Sequence, residues 1–385
     1  MTIVSLTDYF RIEKRGTTVE LKRLQHHIRT LATLKETAAP VVSCYLNLEG
    51  GTTGYRTAFE ERRRLLKKSL SATEWHSFNE AINRIEDYAA NRLSKESKGA
   101  AIFARGGTEP FFLPLQFRVP LPTSLSLEAL PNIYHLVERK DTYQRYVLMI
   151  STEERARILE VNLGAVTEEL WREMPELRQR VGREWTKEHY QNHKRDRRYQ
   201  FIKEKIEILD RLLAAGGHTH LILAGNPRLT ARLRKALPNH LAMKVIDTLQ
   251  ASGSDKLSDV VAATLAAFVE QEERESLAVV ERLQREIKTN GLATAGTMAT
   301  WQALKRGQVD VLVMAKDYEP EYPTPRDFGM PDADGKEAMV RMAEQFGCQI
   351  EIVSHSDVLM QLGGVGALLR YAEEFDIKAQ AVTAA

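Results

Sequence analysis

The chain is poor in the features that would place it outside the cell or in a membrane. In 385 residues it has two cysteines, Cys44 and Cys348. Thiols so far apart, without metal-ligand spacing, build neither a disulfide framework nor a zinc knuckle. No run approaches the ~20 consecutive apolar residues that a membrane helix needs. The start, Met1-Thr2-Ile3-Val4-Ser5-Leu6-Thr7-Asp8, has neither the basic beginning nor the apolar core of a secretory signal. Internal repeats and low-complexity tracts are missing too. What remains is a composition with 43% hydrophobic and 28% charged residues, which predicts globular cores, two or three domains, a cytoplasmic setting and no membrane contact.

The chain also lacks an excess of charge of one sign. Its 54 Lys+Arg and 52 Asp+Glu leave a formal +2, which taken alone argues against a nucleic-acid partner. The balance is a cancellation. Residues 273–385 carry 12 basic and 18 acidic side chains, a net of −6, so residues 1–272 carry +8. Segregated charge predicts different partners for different parts of a chain.

Three blocks are predicted, all of α/β type. The first, to about residue 140, opens with a helix over roughly 18–34. An apolar strand follows at 41–48, ended by Gly50-Gly51, then two charged helices near 56–69 and 73–93. Strands at 100–104 and 110–119 lead to Pro120 and Pro122, which predict an irregular connection. The second block begins with a hairpin, 146–150 and 157–161. It continues through a basic stretch to a helix over 199–215, a fully buried strand at 220–224, a helix at 228–236 and a short strand at 243–246. A long amphipathic helix over 258–289 leads to the third block. There 309–314 and 349–353 read as buried strands, 297–305 and 335–346 as helices, and 363–371 as a glycine-rich closing segment.

The basic stretch is the strongest local signal. Between Arg178 and Lys205 ten cations face four acids, with Trp185, His189, Tyr190, His193 and Tyr199 interleaved. Cations for phosphate and aromatic rings for bases suit irregular or single-stranded RNA; a solvated helix face is the plainer alternative. His189 and His193 stand four apart, as a metal pair on a helix would, but no carboxylate accompanies them at a metalloprotease spacing, and no metal or other cofactor is expected. Gly225-Asn226-Pro227-Arg228 lacks the glycine spacing of a phosphate loop and reads as a helix start. Gly363-Gly364-Val365-Gly366 reads as tight packing. Arg62-Arg63-Arg64 with Lys67-Lys68 is either a second RNA contact or a solvated helix face.

A resemblance adds to this reading. Ala295-Gly296-Thr297 and the stretch from Ala303 through Gly307-Gln308-Val309-Asp310 to Met314 resemble the last domain of the archaeo-eukaryotic peptide-chain release factor and Pelota family. So do Val353-Ser354-His355 and Gly363-Gly364-Val365-Gly366-Ala367-Leu368-Leu369-Arg370-Tyr371. Leu221-Ile222-Leu223-Ala224 with Gly225-Asn226-Pro227 looks like the sheet of that family's RNase H-like middle domain. The resemblance implies three domains: an N-terminal α/β domain at 1–140, a release-factor-like middle domain at 141–272 and a compact α/β/α C-terminal domain at 273–385. The first block looks like a bacterial version of the N-terminal domain and carries no recognised stop-codon-reading signature.

In that family a Gly-Gly-Gln loop of the middle domain reaches the peptidyl transferase centre. The position falls here on Trp185 to Arg195, where Gln191 is present but His189-Tyr190 replace the two glycines. Glycines permit backbone conformations and a close approach that His and Tyr resist. This is similar to Balon-type bacterial hibernation factors, which also lack the loop. The resemblance therefore implies a ribosome-associated factor of the A site in hibernation or protection of idle ribosomes. Its RNA-binding residues would be Arg183, Trp185, Lys187, His189, Tyr190, Gln191, Asn192, His193, Lys194, Arg195, Arg197 and Arg198. The alternative is a peptidyl-tRNA hydrolase with Gln191 as catalytic residue. Implied partners are the ribosome, through ribosomal RNA and tRNA, and elongation factor Tu through the acidic C-terminal domain.

Overall fold

The computed structural model describes residues 21–51, 53–152, 156–173, 202–215, 218–252, 255–320 and 335–371. They form three α/β units, each built on its own sheet. No helix among them is long and apolar enough to cross a membrane.

Apolar runs buried on both faces make the centre of the first sheet. Its strands are β1 (Val41–Asn47), β2 (Gly99–Arg105), β3 (Phe111–Phe117) and β4 (Ser124–Glu128), antiparallel in the order β3-β2-β1-β4. Side chains alternate between faces. Val42, Cys44 and Leu46 therefore meet helices Arg56–Ser69 and Ala72–Asn91 through Phe59, Phe78, Ile82 and Ile85. Val41 and Tyr45 face the opposite way, towards Leu24, Ile28 and Leu31 of helix Leu21–Ala32. Helix Ala72–Asn91 starts on a capping box: Ser71 accepts from the Glu74 backbone and Glu74 reaches back. Pro120 and Pro122 lie in the irregular connection that they predict, 118–123; edge strand β4 and helix Tyr134–Thr142 follow it and are additions to the sequence reading. Alternation over Ser124–Glu128 is too short to be conspicuous, and its hydrogen bonds come from distant β1.

The second sheet holds β5 (Tyr146–Ser151), β6 (Ala156–Asn162), β7 (Ala165–Glu173), β8 (Leu221–Gly225) and β9 (Val245–Gln250) in the order β7-β6-β5-β8-β9. β5, β6 and β7 are antiparallel neighbours, and β8 and β9 continue parallel to β5. Both faces are covered. The helix over 202–215 and helix Pro227–Ala236 close one with Leu209, Leu213, Leu233 and Leu237. Helix Leu257–Lys288 closes the other, where Phe268 stacks on Tyr146 at 4.8 Å and Thr264 Oγ1 lies 2.7 Å from the Tyr146 hydroxyl.

The same 32-residue helix runs on into the third unit. That sheet comprises β10 (Ala293–Ala295), β11 (Val309–Ala315), β12 (Gln349–Val353) and β13 (Val365–Leu369), ordered β10-β13-β11-β12. The glycine-rich closing segment is thus an interior strand. Gly366 makes it possible: a Cβ there would lie 2.8 Å from both Leu283 Cδ2 and the Thr294 carbonyl. The third unit and one face of the first share a continuous core, joined through helices Leu21–Ala32, Tyr134–Thr142 and Gly335–Gln345. Both cysteines are buried and unbridged.

Candidate functional site

All twelve residues of the expected RNA interface, Gln191 among them, lie in the stretch 174–201, outside the described residues. The structure does show what flanks that stretch. β7 ends at Glu173, which pairs with Ala156; Ala156 pairs with Ser151, Ser151 with Gly225, and Gly225 with Gln250. These five residues form one row at the carboxyl ends of the parallel strands. The chain returns through the helix over 202–215. In its first turn Lys205, fully buried, donates from Nζ to Ser151 Oγ at 2.7 Å. Both flanks of the basic stretch therefore sit at the same end of the sheet. In open α/β sheets this is the end where ligands are met.

Lys205 corrects one sequence expectation. It counts among the ten cations of the stretch, yet it is a fastening inside the protein. A buried ammonium group is tolerated only with polar partners, and a row of strand ends supplies one. Lys203 is exposed and lies 3.9 Å from Glu207 one turn on.

The turn after β8 matches its expected role. Asn226 Oδ1 accepts from the Arg228 backbone N–H at 2.9 Å, and Pro227 occupies the first helical position. Gly225 permits the close approach of β5, since a Cβ would collide with the Ser151 carbonyl oxygen. Helix Pro227–Ala236 then presents Arg228, Arg232, Arg234 and Lys235, all exposed. Four cations in ten residues were a signal available in the sequence; what singles them out is the start of their helix in the same row as Glu173 and Lys205.

The basic cluster of the first unit is largely committed within the protein. Arg62 Nε donates to the Leu125 carbonyl at 3.2 Å, Arg63 pairs with Glu86 at 2.5 Å, and Lys67 lies 4.7 Å from the centre of the Trp75 ring. Arg64 and Lys68 are exposed.

One further cluster was not anticipated from the sequence. His220, Glu272 and Glu275 bring three potential metal-ligand atoms within 4.8 Å of one another. The two glutamates are three apart on one helix, and the histidine precedes a strand 52 residues earlier, so only the fold unites them.

Comparison with known proteins places these features in a family. Residues 131–269 match the model of the bacterial archaeo-eukaryotic release factor family 10, and residues 274–373 match that of eRF1 domain 3. Through these two segments the chain is a relative of the bacterial archaeo-eukaryotic release factors. Three solved structures illustrate the likeness. The archaeal translation termination factor aRF1 is 15% identical, covering 93% of this chain and 100% of its own, with a TM-score of 0.28. Archaeoglobus fulgidus Pelota is 14% identical, covering 93% and 94%, with a TM-score of 0.39. Dom34 of S. cerevisiae is 11% identical, covering 72% and 82%, with a TM-score of 0.40. No curated protein matches the chain. As a release-factor relative the protein carries the row Glu173, Ala156, Ser151 and Gly225 in the part matched by family 10, and its acidic third unit in the part matched by eRF1 domain 3.

Proposed function

We propose that this protein is a ribosome-associated translation factor that occupies the A site and directs residues 183–198 towards the peptidyl transferase centre, holding idle ribosomes in a protected state. The observation that carries the non-hydrolytic reading is His189-Tyr190 immediately before Gln191. Two bulky residues crowd a position that hydrolysis needs open to water, whereas they add a ring and an imidazole for contact with RNA bases. The carboxyl-end row of the second sheet supports the placement, because it gathers both flanks of the basic stretch beside the exposed cations of helix Pro227–Ala236.

The acidic third unit is a poor fit to bare phosphate and a good fit to a basic protein surface. We assign it the recruitment of a translational GTPase, with elongation factor Tu as the bacterial candidate.

The deciding experiment has two parts. Co-sedimentation at low salt should carry the protein with ribosomes, and binding should fall steeply as salt rises. Release of labelled peptide from ribosome-bound peptidyl-tRNA should stay at background. Robust release abolished by Gln191→Ala would replace the proposal with the hydrolase alternative. Binding to arbitrary RNA without co-sedimentation would reduce the protein to a general RNA binder.

A further inference from the structure

Midway along helix Leu257–Lys288, Glu272 and Glu275 lie on one face, three residues apart. His220, directly before β8, faces them. Its Nε2 is 3.1 Å from Glu275 Oε1 and 3.8 Å from Glu272 Oε1. Its other ring nitrogen, Nδ1, is 2.9 Å from Thr219 Oγ1, and its ring meets Phe268 edge-on. The imidazole is therefore held in place from two sides. With the Nδ1 proton given to Thr219, the Nε2 lone pair points at two carboxyl groups, an arrangement that calls for positive charge between them.

Glu272 makes the same demand. Only 8% of it is exposed. Its Oε2 accepts from Gln144 Nε2 at 3.2 Å, but Oε1, buried and turned towards His220, has no hydrogen-bond partner among the described residues. A buried carboxyl oxygen without a donor is costly. Glu351 adds to the negative surroundings, with its own side chain bound to Ser276 Oγ at 2.5 Å.

We propose that His220 Nε2, Glu272 Oε1 and Glu275 Oε1 bind one divalent transition-metal cation of the zinc type. One imidazole nitrogen with two carboxylates is a donor set such cations accept. Metal–ligand bonds of ~2.0–2.1 Å in a tetrahedral site put ligand atoms ~3.3 Å apart. The three atoms here lie within 4.8 Å of one another, so a small rotation of Glu272 closes the set. Glu275 is half exposed, which leaves an entry path and a position for water. Gln144 and Thr219 hold two of the ligands from behind, the role outer partners play in metal sites. A cation there would fasten helix Leu257–Lys288 to the second sheet, at the part of the helix that leads into the third unit.

The test uses the full chain stripped with EDTA, titrated with zinc chloride by calorimetry and followed by thermal unfolding. One equivalent should bind, and zinc should raise the Tm. His220→Ala and Glu272→Gln should each weaken zinc binding by at least about tenfold and remove the zinc-dependent rise in Tm. Glu275→Gln, at a half-exposed position that the fold tolerates, should do the same with an unchanged circular dichroism spectrum. The double variant His189→Ala, His193→Ala should bind zinc as wild type does. Absence of zinc binding by the wild-type chain, or equal binding by all three site variants, would overturn the proposal and leave His220 in an ordinary hydrogen bond with Glu275.

Discussion

Glu337 and Arg341, one turn apart on helix Gly335–Gln345 and paired at 2.8 Å, together finish two helices of the first unit. The carboxyl oxygens of Glu337 accept the backbone N–H groups of Ile133 and Tyr134 at 2.9 and 2.8 Å. Those groups open helix Tyr134–Thr142, which has no side-chain cap of its own. Arg341 donates to the carbonyls of Leu31 and Pro131, and Gln345 donates to Ala32 at 2.7 Å, satisfying the carboxyl end of helix Leu21–Ala32. Caps that a helix normally takes from its own neighbours come here from about 200 residues or more along the chain.

Glu337→Ala strips two buried N–H groups of their acceptor and leaves the Arg341 guanidinium without its acid. A loss of about 3–5 kcal/mol is expected, measured by urea unfolding. Gln345→Ala, which removes one neutral donor, should cost about 1 kcal/mol in the same measurement.

Glu138 reports on the same junction through pH. Burial alone would push its carboxyl up. The hydrogen bond with His135 and the charges of Arg139 and Lys316 outweigh burial and hold it at about 2, against an ordinary 4.5. A depressed carboxyl stabilises the fold above pH 4.5, and that stability is lost as pH falls from there through about 2. Glu138→Gln should therefore cost about 3 kcal/mol at pH 7 and nothing measurable near pH 2. Thermal unfolding of both proteins across that range checks it.

Glu272 behaves in the opposite sense when no metal is present. Burial, then Glu275 and Glu351, push its carboxyl up to about 8. A raised carboxyl stabilises the fold only while protonated, so stability falls as pH climbs from 4.5 through about 8. In EDTA, Glu272→Gln should match wild type at pH 5 and exceed it at pH 9. Each kcal/mol gained would appear as a Tm higher by about 1 °C in a chain of 385 residues. A variant less stable than wild type at pH 9 would count against the pH assignment.

The basic stretch is tested by charge. Reversing Lys194, Arg195, Arg197 and Arg198 to Glu should weaken ribosome co-sedimentation by at least about tenfold at low salt and flatten the dependence on salt, with an unchanged unfolding curve. Unchanged binding across the salt series would remove the stretch from the interface.

Much of the framework was legible locally. Val41–Asn47, Leu221–Gly225 and Val309–Ala315 are short apolar runs, bounded by Gly, Pro or polar turns, that read as buried strands. Asn226-Pro227 announces a helix start by its own chemistry. Strand β13 was not legible, because Val365-Gly366-Ala367 has weak strand propensity and takes its hydrogen bonds from β10 and β11 on either side. Nor was helix Tyr134–Thr142, whose cap is Glu337. Lys205 looked like one more surface cation until the row of strand ends placed Ser151 beside it.

By itself the sequence determined the α/β class, the long helix, and the division of charge between a basic stretch and an acidic end. These follow from side-chain type and from the periods of helix and strand, which act over a few residues. Only the tertiary structure decided that both flanks of the basic stretch meet at one end of a sheet. It alone set Glu337 and Arg341 as caps for distant helices, and His220 across from Glu272 and Glu275. The physical reason is common to all three. A buried polar atom must find its partner wherever the backbone carries one, and chain neighbourhood does not say where that is.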